Sequence, residues 1–154
     1  MKHFYSHEQF KQDMGVLAGY ILAKDIAYDG ILSIVRGGLY PTAELAQLLN
    51  IRHIETVCLK SYESQERQEL KVVEKSILPM INLDDNWLIV DDIADSGETL
   101  NFVKKHYTNR QGQGAGLLDT LTIHWKTKSI ITPTYFVKTV PEDVWIQYPW
   151  EREF

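Results

Sequence analysis

The sequence predicts a single α/β domain built on a mostly parallel sheet. Short β-branched runs alternate with segments of helical periodicity, the order that strand–helix–strand units produce. The chain has 154 residues, 44% of them hydrophobic, and neither a repeat nor a long linker divides it. We therefore expect one domain in which ligands bind at the carboxyl ends of the strands.

The helices are predicted from apolar spacing and from their first residues. Across residues 6–23 apolar side chains recur at helical intervals, and Ser6 with Gln9 three positions later has the pattern of a capping box. A second helix is expected over residues 41–49, because the proline that opens it suits a first helical turn. The third helix is expected over residues 99–107, directly after a short acidic loop.

Five strands are predicted from short apolar runs rich in β-branched residues. They are residues 30–35, 53–59, 86–93, 117–125 and 134–140. The run 61–75 is polar and dense in charge, so we expect a mobile loop that can hold short strands. The turn after the first strand and the loop after the third both fall at carboxyl ends, which makes them the first candidates for a binding site.

The charge balance argues against one class of function. The chain carries 16 Lys and Arg against 21 Asp and Glu, a net charge of -5, whereas a dedicated nucleic-acid binder needs surplus clustered cations. The first residues are too polar for a signal peptide, and no run approaches the roughly 20 apolar residues of a membrane span. We therefore expect a soluble, intracellular protein that binds small ligands.

The strongest functional signal is the segment LIVDDIADSGETL, residues 88–100. A strand delivers Asp91 and Asp92 at its carboxyl end, and a short loop then leads into a helix. The N–H groups of such a loop and helix N-terminus bind anions, and Gly97 allows a phosphate to come close. The paired carboxylates can accept hydrogen bonds from a sugar diol or hold hydrated Mg²⁺. An acidic pair alone is also typical of ordinary helix capping, so the whole segment carries the inference.

This segment resembles the signature with which type I phosphoribosyltransferases bind phosphoribosyl pyrophosphate. The resemblance implies that Asp91 and Asp92 contact the ribose hydroxyls and that Asp92 is the metal residue. It also implies that Asp95 is the catalytic group and faces the base N7. The 5′-phosphate site would consist of Asp95, Ser96, Gly97, Glu98 and Thr99. Ser96 stands where threonine is commoner, and Glu98 stands where a small residue is usual.

Further segments extend the resemblance to the short bacterial xanthine-guanine phosphoribosyltransferases, over nearly the whole chain. They are VRGGLYP, LNIRHIETVCLKSY, QELKV and PEDVWIQYPWE, in the order of that family. The resemblance implies that Arg36, Gly37 and Gly38 bind pyrophosphate, with a cis peptide joining Arg36 and Gly37. It further implies that a loop over residues 62–73 closes on the site.

The loop departs from the family at one place. The family usually has Gln-Arg before Glu-Leu-Lys, whereas this chain has Arg67 followed by Gln68. Pyrophosphate contact is therefore assigned to Arg67, Gln68 and Lys71, with either Arg67 reaching in by a different path or Lys71 taking over. Solvated charges on a loop are the plainer interpretation of the same residues.

The purine site also rests on the resemblance. Lys126 would donate to the purine O6, and Trp145 would stack on the ring. Trp145 and Ile146 match the residues that line the base, and backbone carbonyls near Ile146 and Glu151 would read its edge. Without the resemblance, Lys126 would be taken for a surface lysine and Trp150 for packing of a small subdomain.

The fold class implied is the type I phosphoribosyltransferase fold, a mostly parallel twisted sheet flanked by helices with a small C-terminal hood subdomain. Residues 1–154 are expected to form one domain, with a core over about 25–125 and a hood over about 126–154 plus N-terminal residues. The implied enzyme transfers a phosphoribosyl group to guanine or xanthine, with hypoxanthine a further candidate. The resemblance also implies Mg²⁺, a homotetramer or dimer, and a cytoplasmic location, free or peripheral at the inner membrane face.

Three other functions stay open. A non-catalytic regulator that senses phosphoribosyl pyrophosphate predicts a basic face or an added helix-turn-helix, and the sequence has neither. A salvage enzyme for another base is disfavoured by VWIQYPW, which resembles 6-oxopurine enzymes. A generic nucleotide-binding domain is weakened because neither GK[ST] nor G-x-G-x-x-G occurs.

Overall fold

The computed structural model describes residues 1–59, 61–64, 67–72, 77–110 and 114–151. Its helices are α1 (His7–Ala23), α2 (Leu39–Leu48) and α3 (Glu98–Thr108). Its strands are β1 (Lys2–Phe4), β2 (Gly30–Ile34), β3 (His53–Val57), β4 (Ser61–Ser64), β5 (Arg67–Val72), β6 (Trp87–Val90), β7 (Ile93–Ala94), β8 (Leu118–Leu121), β9 (His124–Trp125), β10 (Lys138–Thr139) and β11 (Trp145–Gln147).

The centre of the fold is a four-stranded parallel sheet in the order β3-β2-β6-β8. Its strands β2 and β6 are buried along their whole length, as apolar runs in parallel sheets usually are. The predicted α/β architecture is therefore confirmed. Because all four strands run in one direction, their carboxyl ends share one edge of the sheet.

Alternating side chains of the sheet enter two separate cores. On β6, Leu88 and Val90 pack into the core that α1 and α2 cover, whereas Trp87 and Ile89 pack into the core that α3 covers. Each of these four side chains is at most 1% exposed, and burying one such side chain stabilises the fold by about 1.5–3 kcal/mol. The sheet is thus held from both faces.

Helix α1 begins where the sequence predicts. The Ser6 Oγ accepts a hydrogen bond from the Gln9 N–H at 3.1 Å, and the Gln9 Oε1 accepts one from the Ser6 N–H at 3.3 Å. These two bonds confirm the capping box. The buried stripe of the helix includes Met14, Leu17 and Ile21, at the spacing of one helical face.

The apolar run 117–125 forms two strands, although the sequence predicts one. Strand β8 belongs to the central sheet, whereas β9 lies between β7 and β10 in a separate three-stranded parallel sheet. The division falls where the Asp92 carbonyl accepts the N–H groups of both Ile123 and His124, at 2.9 and 3.2 Å. Hydrophobicity continues through this point, so the sequence pattern gives no sign of the change of partner.

The structure also tests two other predicted segments. The predicted strand 134–140 is reduced to β10 and to one isolated bridge between Tyr135 and Leu121. Within the predicted loop 61–75, β4 and β5 pair in antiparallel fashion, which agrees with the expectation of short strands. The predicted closure of residues 62–73 over the site lies partly outside the described residues, so it stays a prediction.

The N-terminal and C-terminal segments meet through backbone pairing. Strand β1 pairs in parallel with β11, and the Trp145 N–H donates to the Met1 carbonyl at 2.8 Å. Ile146 and Tyr148 then pack into the same core as α1. Among the helices described, none is both long and apolar enough to traverse a bilayer.

Candidate active site

A cleft of about 580 Å³ opens at the carboxyl edge of the central sheet. Its walls combine the turn that follows β2, the acid that follows β6, and side chains from the C-terminal segment. The lining residues are Arg36, Gly37, Tyr40, Asp92, Trp145, Gln147, Trp150 and Glu151. Five of these residues are predicted site residues, and they reach the cleft from three distant parts of the sequence.

The turn at residues 36–38 lies directly against the acidic pair. A Cβ atom placed on Gly37 would lie 2.6 Å from the Asp92 Cγ, so only glycine permits this approach without movement. The Gly38 N–H donates to the Ile34 carbonyl at 2.9 Å, which ties the turn to the end of β2. A ligand in the cleft therefore meets Arg36, Gly37 and Asp92 together.

The cis peptide bond lies one residue earlier than predicted. It joins Val35 to Arg36, whereas the resemblance predicts it between Arg36 and Gly37. After Arg36 the backbone already follows a helical course, because the Leu39 N–H donates to the Arg36 carbonyl and the Thr42 N–H to the Gly38 carbonyl, both at 3.0 Å. Such turns are built from trans peptides.

Asp91 and Asp92 form a crowded acidic pair. Burial raises the pKa of Asp91 well above its usual range, and repulsion from Asp92 adds to the effect. Burial likewise raises the pKa of Asp92 to about 6, although the Ile93 amide partly offsets it, and Glu151 contributes repulsion. The Asp91 carboxylate accepts the Asp92 N–H at 2.9 Å, which fixes its orientation. Positive charge brought to this pair would relieve both the desolvation and the repulsion.

The acidic pair fits a magnesium ion that is shared with a substrate. Among the described residues no group of three or more His, Cys, Asp or Glu side chains could hold a metal by itself. Mg²⁺ is commonly held by one or two carboxylates together with waters and substrate phosphates. Asp92, in the cleft wall, is placed to supply such a carboxylate.

The loop from Asp95 to Gly97 leads into α3 in the way an anion site requires. Gly97 has φ of 78° and precedes the first helical residue, and the Ser96 Oγ accepts the Glu98 N–H at 3.3 Å. A Cβ atom on Gly97 would lie 2.9 Å from the Ile131 Cγ2, so glycine is required for space as well as for conformation. The N–H groups of the first helical turn, including that of Thr99, lack partners within the helix and suit a phosphate.

Asp95 is held by two lysines. Its Oδ2 lies 3.1 Å from the Lys126 Nζ, and its Oδ1 lies 3.1 Å from the Lys128 Nζ. Partial burial raises the pKa of Asp95, but hydrogen bonds and positive charge from Lys126 and Lys128 outweigh it and hold that pKa below its usual value. Asp95 is therefore an ionised acceptor near neutral pH. Neither Asp95 nor Lys126 is among the residues that line the cleft itself.

Lys126 differs from the surface lysine that its sequence context alone would suggest. Its side chain is only 4% exposed, and its ammonium donates to Asp95 and also to the Glu142 carbonyl at 3.2 Å. A buried ammonium needs partners of this kind. With two of its three N–H groups used, one donor is left for a ligand.

The strand β11 separates two of the predicted purine residues. Trp145 is 61% exposed and lines the cleft, whereas Ile146 is 6% exposed and packs in the core, as alternation along a strand requires. The Ile146 side chain is thus directed away from the cleft, and only its backbone is available for the predicted contact. Glu151 lies in the cleft wall and accepts the Tyr148 N–H at 3.2 Å.

The sequence reasoning missed an aromatic stack beside the cleft. Trp150 stacks between Tyr40 and Tyr148, with ring centroids 4.5 and 4.8 Å away. Tyr40 lies in the first turn of α2, directly after the turn at residues 36–38, so the stack joins that turn to the C-terminal segment. The aromatic residue just after RGG was the available signal. Gln147 and Lys128, also missed, carried no pattern that distinguished them.

The predicted loop residues remain predictions. Arg67, Gln68 and Lys71 lie on β5, where Lys71 is in register with Tyr62 and Arg67 with Ser64. The contacts of these side chains are not among the described features of the structure. The choice between Arg67 and Lys71 as the pyrophosphate cation is therefore left to experiment.

Comparison with known proteins identifies the family. A family model described as the phosphoribosyl transferase domain matches residues 1–151. A xanthine-guanine phosphoribosyltransferase of Nitratidesulfovibrio vulgaris is 34% identical over 153 residues, covering 95% of this chain and 82% of that protein. The chain therefore belongs to the phosphoribosyltransferase family.

Solved structures agree with this assignment. The Helicobacter pylori xanthine-guanine-hypoxanthine phosphoribosyltransferase superposes with a TM-score of 0.83 and 26% identity, over 98% of this chain and 94% of its own. A purine phosphoribosyltransferase from Pyrococcus horikoshii superposes with a TM-score of 0.78 and 25% identity, over 99% and 95%. The predicted type I fold is thus confirmed, and within the family the similarity extends to members named for purine substrates.

Proposed function

We propose that this protein transfers the 5-phosphoribosyl group of phosphoribosyl pyrophosphate to guanine or xanthine, giving the nucleoside monophosphate and pyrophosphate. Hypoxanthine is a further candidate, because the Helicobacter pylori relative is named for all three bases. One observation carries the proposal: a glycine turn, Asp92 of the acidic pair and an exposed tryptophan converge on one cleft at the carboxyl edge of the sheet.

The sugar phosphate is assigned to the loop at residues 91–99 and to the turn at residues 36–38. In the proposal the N–H groups at residues 95–99 bind the 5′-phosphate, and the carboxylates of Asp91 and Asp92 accept hydrogen bonds from the ribose diol. Arg36 and the amide of Gly37 bind the pyrophosphate, whereas Gly38, also predicted to bind it, uses its N–H in the bond to the Ile34 carbonyl and holds the turn in place. The contact between Gly37 and Asp92 supports this arrangement, since it brings the diol side and the pyrophosphate side of one substrate together.

Mg²⁺ is the proposed cofactor, with Asp92 as the metal residue. When bound, it supplies positive charge that offsets the negative charge of the leaving pyrophosphate. The loop cation, Arg67 or Lys71, and Gln68 are assigned to the same leaving group. Their closure over the cleft would exclude water, which could otherwise hydrolyse the activated sugar.

The base is bound from the C-terminal side. Trp145 stacks on the purine ring, the free N–H of Lys126 donates to O6, and the carbonyls near Ile146 and Glu151 accept from the ring edge. During transfer the bond from the sugar C1 to pyrophosphate breaks and a bond to the purine nitrogen forms, through an oxocarbenium-like state. Asp95, ionised beforehand, accepts the N7 proton as the base becomes a nucleophile.

The test is a pyrophosphate-release assay with Mg²⁺, phosphoribosyl pyrophosphate and each purine in turn. We expect turnover with guanine or xanthine, dependence on Mg²⁺, and formation of the matching nucleoside monophosphate. Binding of phosphoribosyl pyrophosphate without turnover of any purine would instead support the non-catalytic regulator. Turnover of a pyrimidine alone would contradict the assignment of the base site.

Assembly, location and domain limits complete the proposal. We infer a homotetramer or dimer in the cytoplasm, free or peripheral at the inner membrane face, with residues 126–154 and the N-terminal residues forming the hood over a core of about 25–125. The pairing of β1 with β11 supports inclusion of the N-terminal residues in that hood.

A further inference from the structure

Lys128 is a second cation on the carboxylate of Asp95, and neither the resemblance nor the proposed reaction gives it a role. Each lysine contacts a different oxygen of the carboxylate. The Lys126 Nζ lies 3.1 Å from Oδ2, and the Lys128 Nζ lies 3.1 Å from Oδ1. Because each carboxylate oxygen has two lone pairs, both oxygens keep a site for a further donor. The pair of contacts fixes the plane of the carboxylate.

The backbone around Lys128 is attached to the loop that carries Asp95. The Lys126 N–H donates to the Ala94 carbonyl at 3.0 Å, and the Ile130 N–H donates to the Ser96 carbonyl at 2.9 Å. These bonds hold the turn 126–130 on the residue before Asp95 and on the residue after it. Lys128 lies within that turn, so its ammonium is held beside Asp95 by the backbone as well as by charge.

The two lysines differ in how firmly they are held. The Lys126 side chain is 4% exposed and has a second acceptor in the Glu142 carbonyl, whereas the Lys128 side chain is 42% exposed. Lys126 therefore belongs to the buried frame of the site. Lys128 can be replaced without leaving a buried charge unpaired, which makes its contribution measurable.

We propose that Lys128 is a positioning residue for base transfer, which fixes the carboxylate plane of Asp95 so that an oxygen lone pair meets the purine N7 proton. This inference rests on the proposed function. With Lys126 alone, the carboxylate is held at one oxygen and can rotate about its Cβ–Cγ bond. The orientation of a catalytic group affects the reaction step more than the binding of the sugar substrate.

The experiment compares Lys128→Met, which keeps the stem and removes the charge, with Lys128→Arg, which keeps the charge. Lys11→Met, on the exposed face of α1, is the matched control. Because a partly exposed ion pair makes a modest contribution, we expect kcat to fall about fivefold in Lys128→Met, with the KM for phosphoribosyl pyrophosphate unchanged. Lys128→Arg should restore most of the loss, and Lys11→Met should match the wild type.

The outcomes separate this inference from the proposed function. If the wild-type protein turns over no purine, the proposed function fails, and the role of Lys128 fails with it. If the wild type is active, an unchanged kcat in Lys128→Met overturns only the positioning role, and so does failure of Lys128→Arg to restore it. A loss confined to the KM for the sugar would show phosphate binding instead. The fall in kcat of Lys128→Met should be equal for guanine and xanthine, because both bases carry N7. An unequal fall would indicate a contact with the 2-substituent and would also overturn the positioning role.

Discussion

Replacing Asp95 by asparagine should separate the structural contribution of this residue from its chemical one. The change keeps the size of the side chain and removes the charge that faces Lys126, whose own side chain is 4% exposed. Breaking a fully buried ion pair costs roughly 3–5 kcal/mol. Since Asp95 is 39% exposed, water can compensate part of this cost, and about 1–2 kcal/mol is the expected loss of stability. For a chain of this length that lowers Tm by about 2–8 °C.

The chemical effect should be much larger than the structural one. Asparagine cannot accept the N7 proton, and loss of a general base lowers turnover by roughly 100-fold or more. The KM for phosphoribosyl pyrophosphate should change little, because Asp95 is proposed to contact the 5′-phosphate through its backbone N–H, which asparagine keeps. Initial rates of pyrophosphate release would give kcat and KM, and thermal unfolding followed by circular dichroism would give Tm.

Asp143→Asn is the matched control for this variant. Asp143→Asn removes the same charge from an exposed position of the C-terminal segment and should leave both kcat and Tm near wild type. Near-wild-type turnover in Asp95→Asn would remove this carboxylate from the mechanism. A large fall in Tm with normal turnover at low temperature would mean that Asp95 is only a structural partner of Lys126.

Three further predictions follow from the site. Replacing Arg67, Gln68 or Lys71 singly by alanine should reveal the pyrophosphate contact as a higher KM for the sugar substrate. If none of the three variants differs from wild type, the loop-cation assignment fails. Trp145→Ala should raise the KM for the purine about 5- to 150-fold, because the lost stacking contributes about 1–3 kcal/mol. The Tm should stay unchanged, because the Trp145 side chain is 61% exposed. An unchanged KM would refute stacking. Burial, with positive charge from Lys138, lowers the pKa of His124 from 6.5 to about 4. The neutral His124 therefore contributes its full stabilisation of the folded state above pH 6.5, and this stabilisation is lost as the pH falls to about 4. Over that window wild type should lose about 3 kcal/mol more than His124→Asn in urea unfolding, and parallel pH dependences would contradict this.

The sequence predicted those features of the molecule that depend on local pattern. The capping box at Ser6, the buried strands β2 and β6, and the meeting of the acidic segment with the RGG turn all follow from short motifs and from the geometry of parallel sheets. In each case one segment carries enough information by itself, or the sheet edge brings two segments together.

Features that depend on distant partners could not be predicted in this way. The run 117–125 passes from one sheet to another where the Asp92 carbonyl accepts two backbone N–H groups. The hydrophobicity of the run does not mark this position. Trp150 is adjacent to Tyr40 only after folding, and Lys128 reaches Asp95 only because its turn is bonded to residues 94 and 96. The direction of the Ile146 side chain depends on which face of β11 packs against the core.

The proposed function depends most on the position of the sugar phosphate. A crystal structure of the protein with guanosine monophosphate should place the phosphate on the N–H groups of residues 95–99 and the ribose diol against Asp91 and Asp92. A phosphate bound elsewhere, with this loop free of ligand, would contradict the assignment of the whole site.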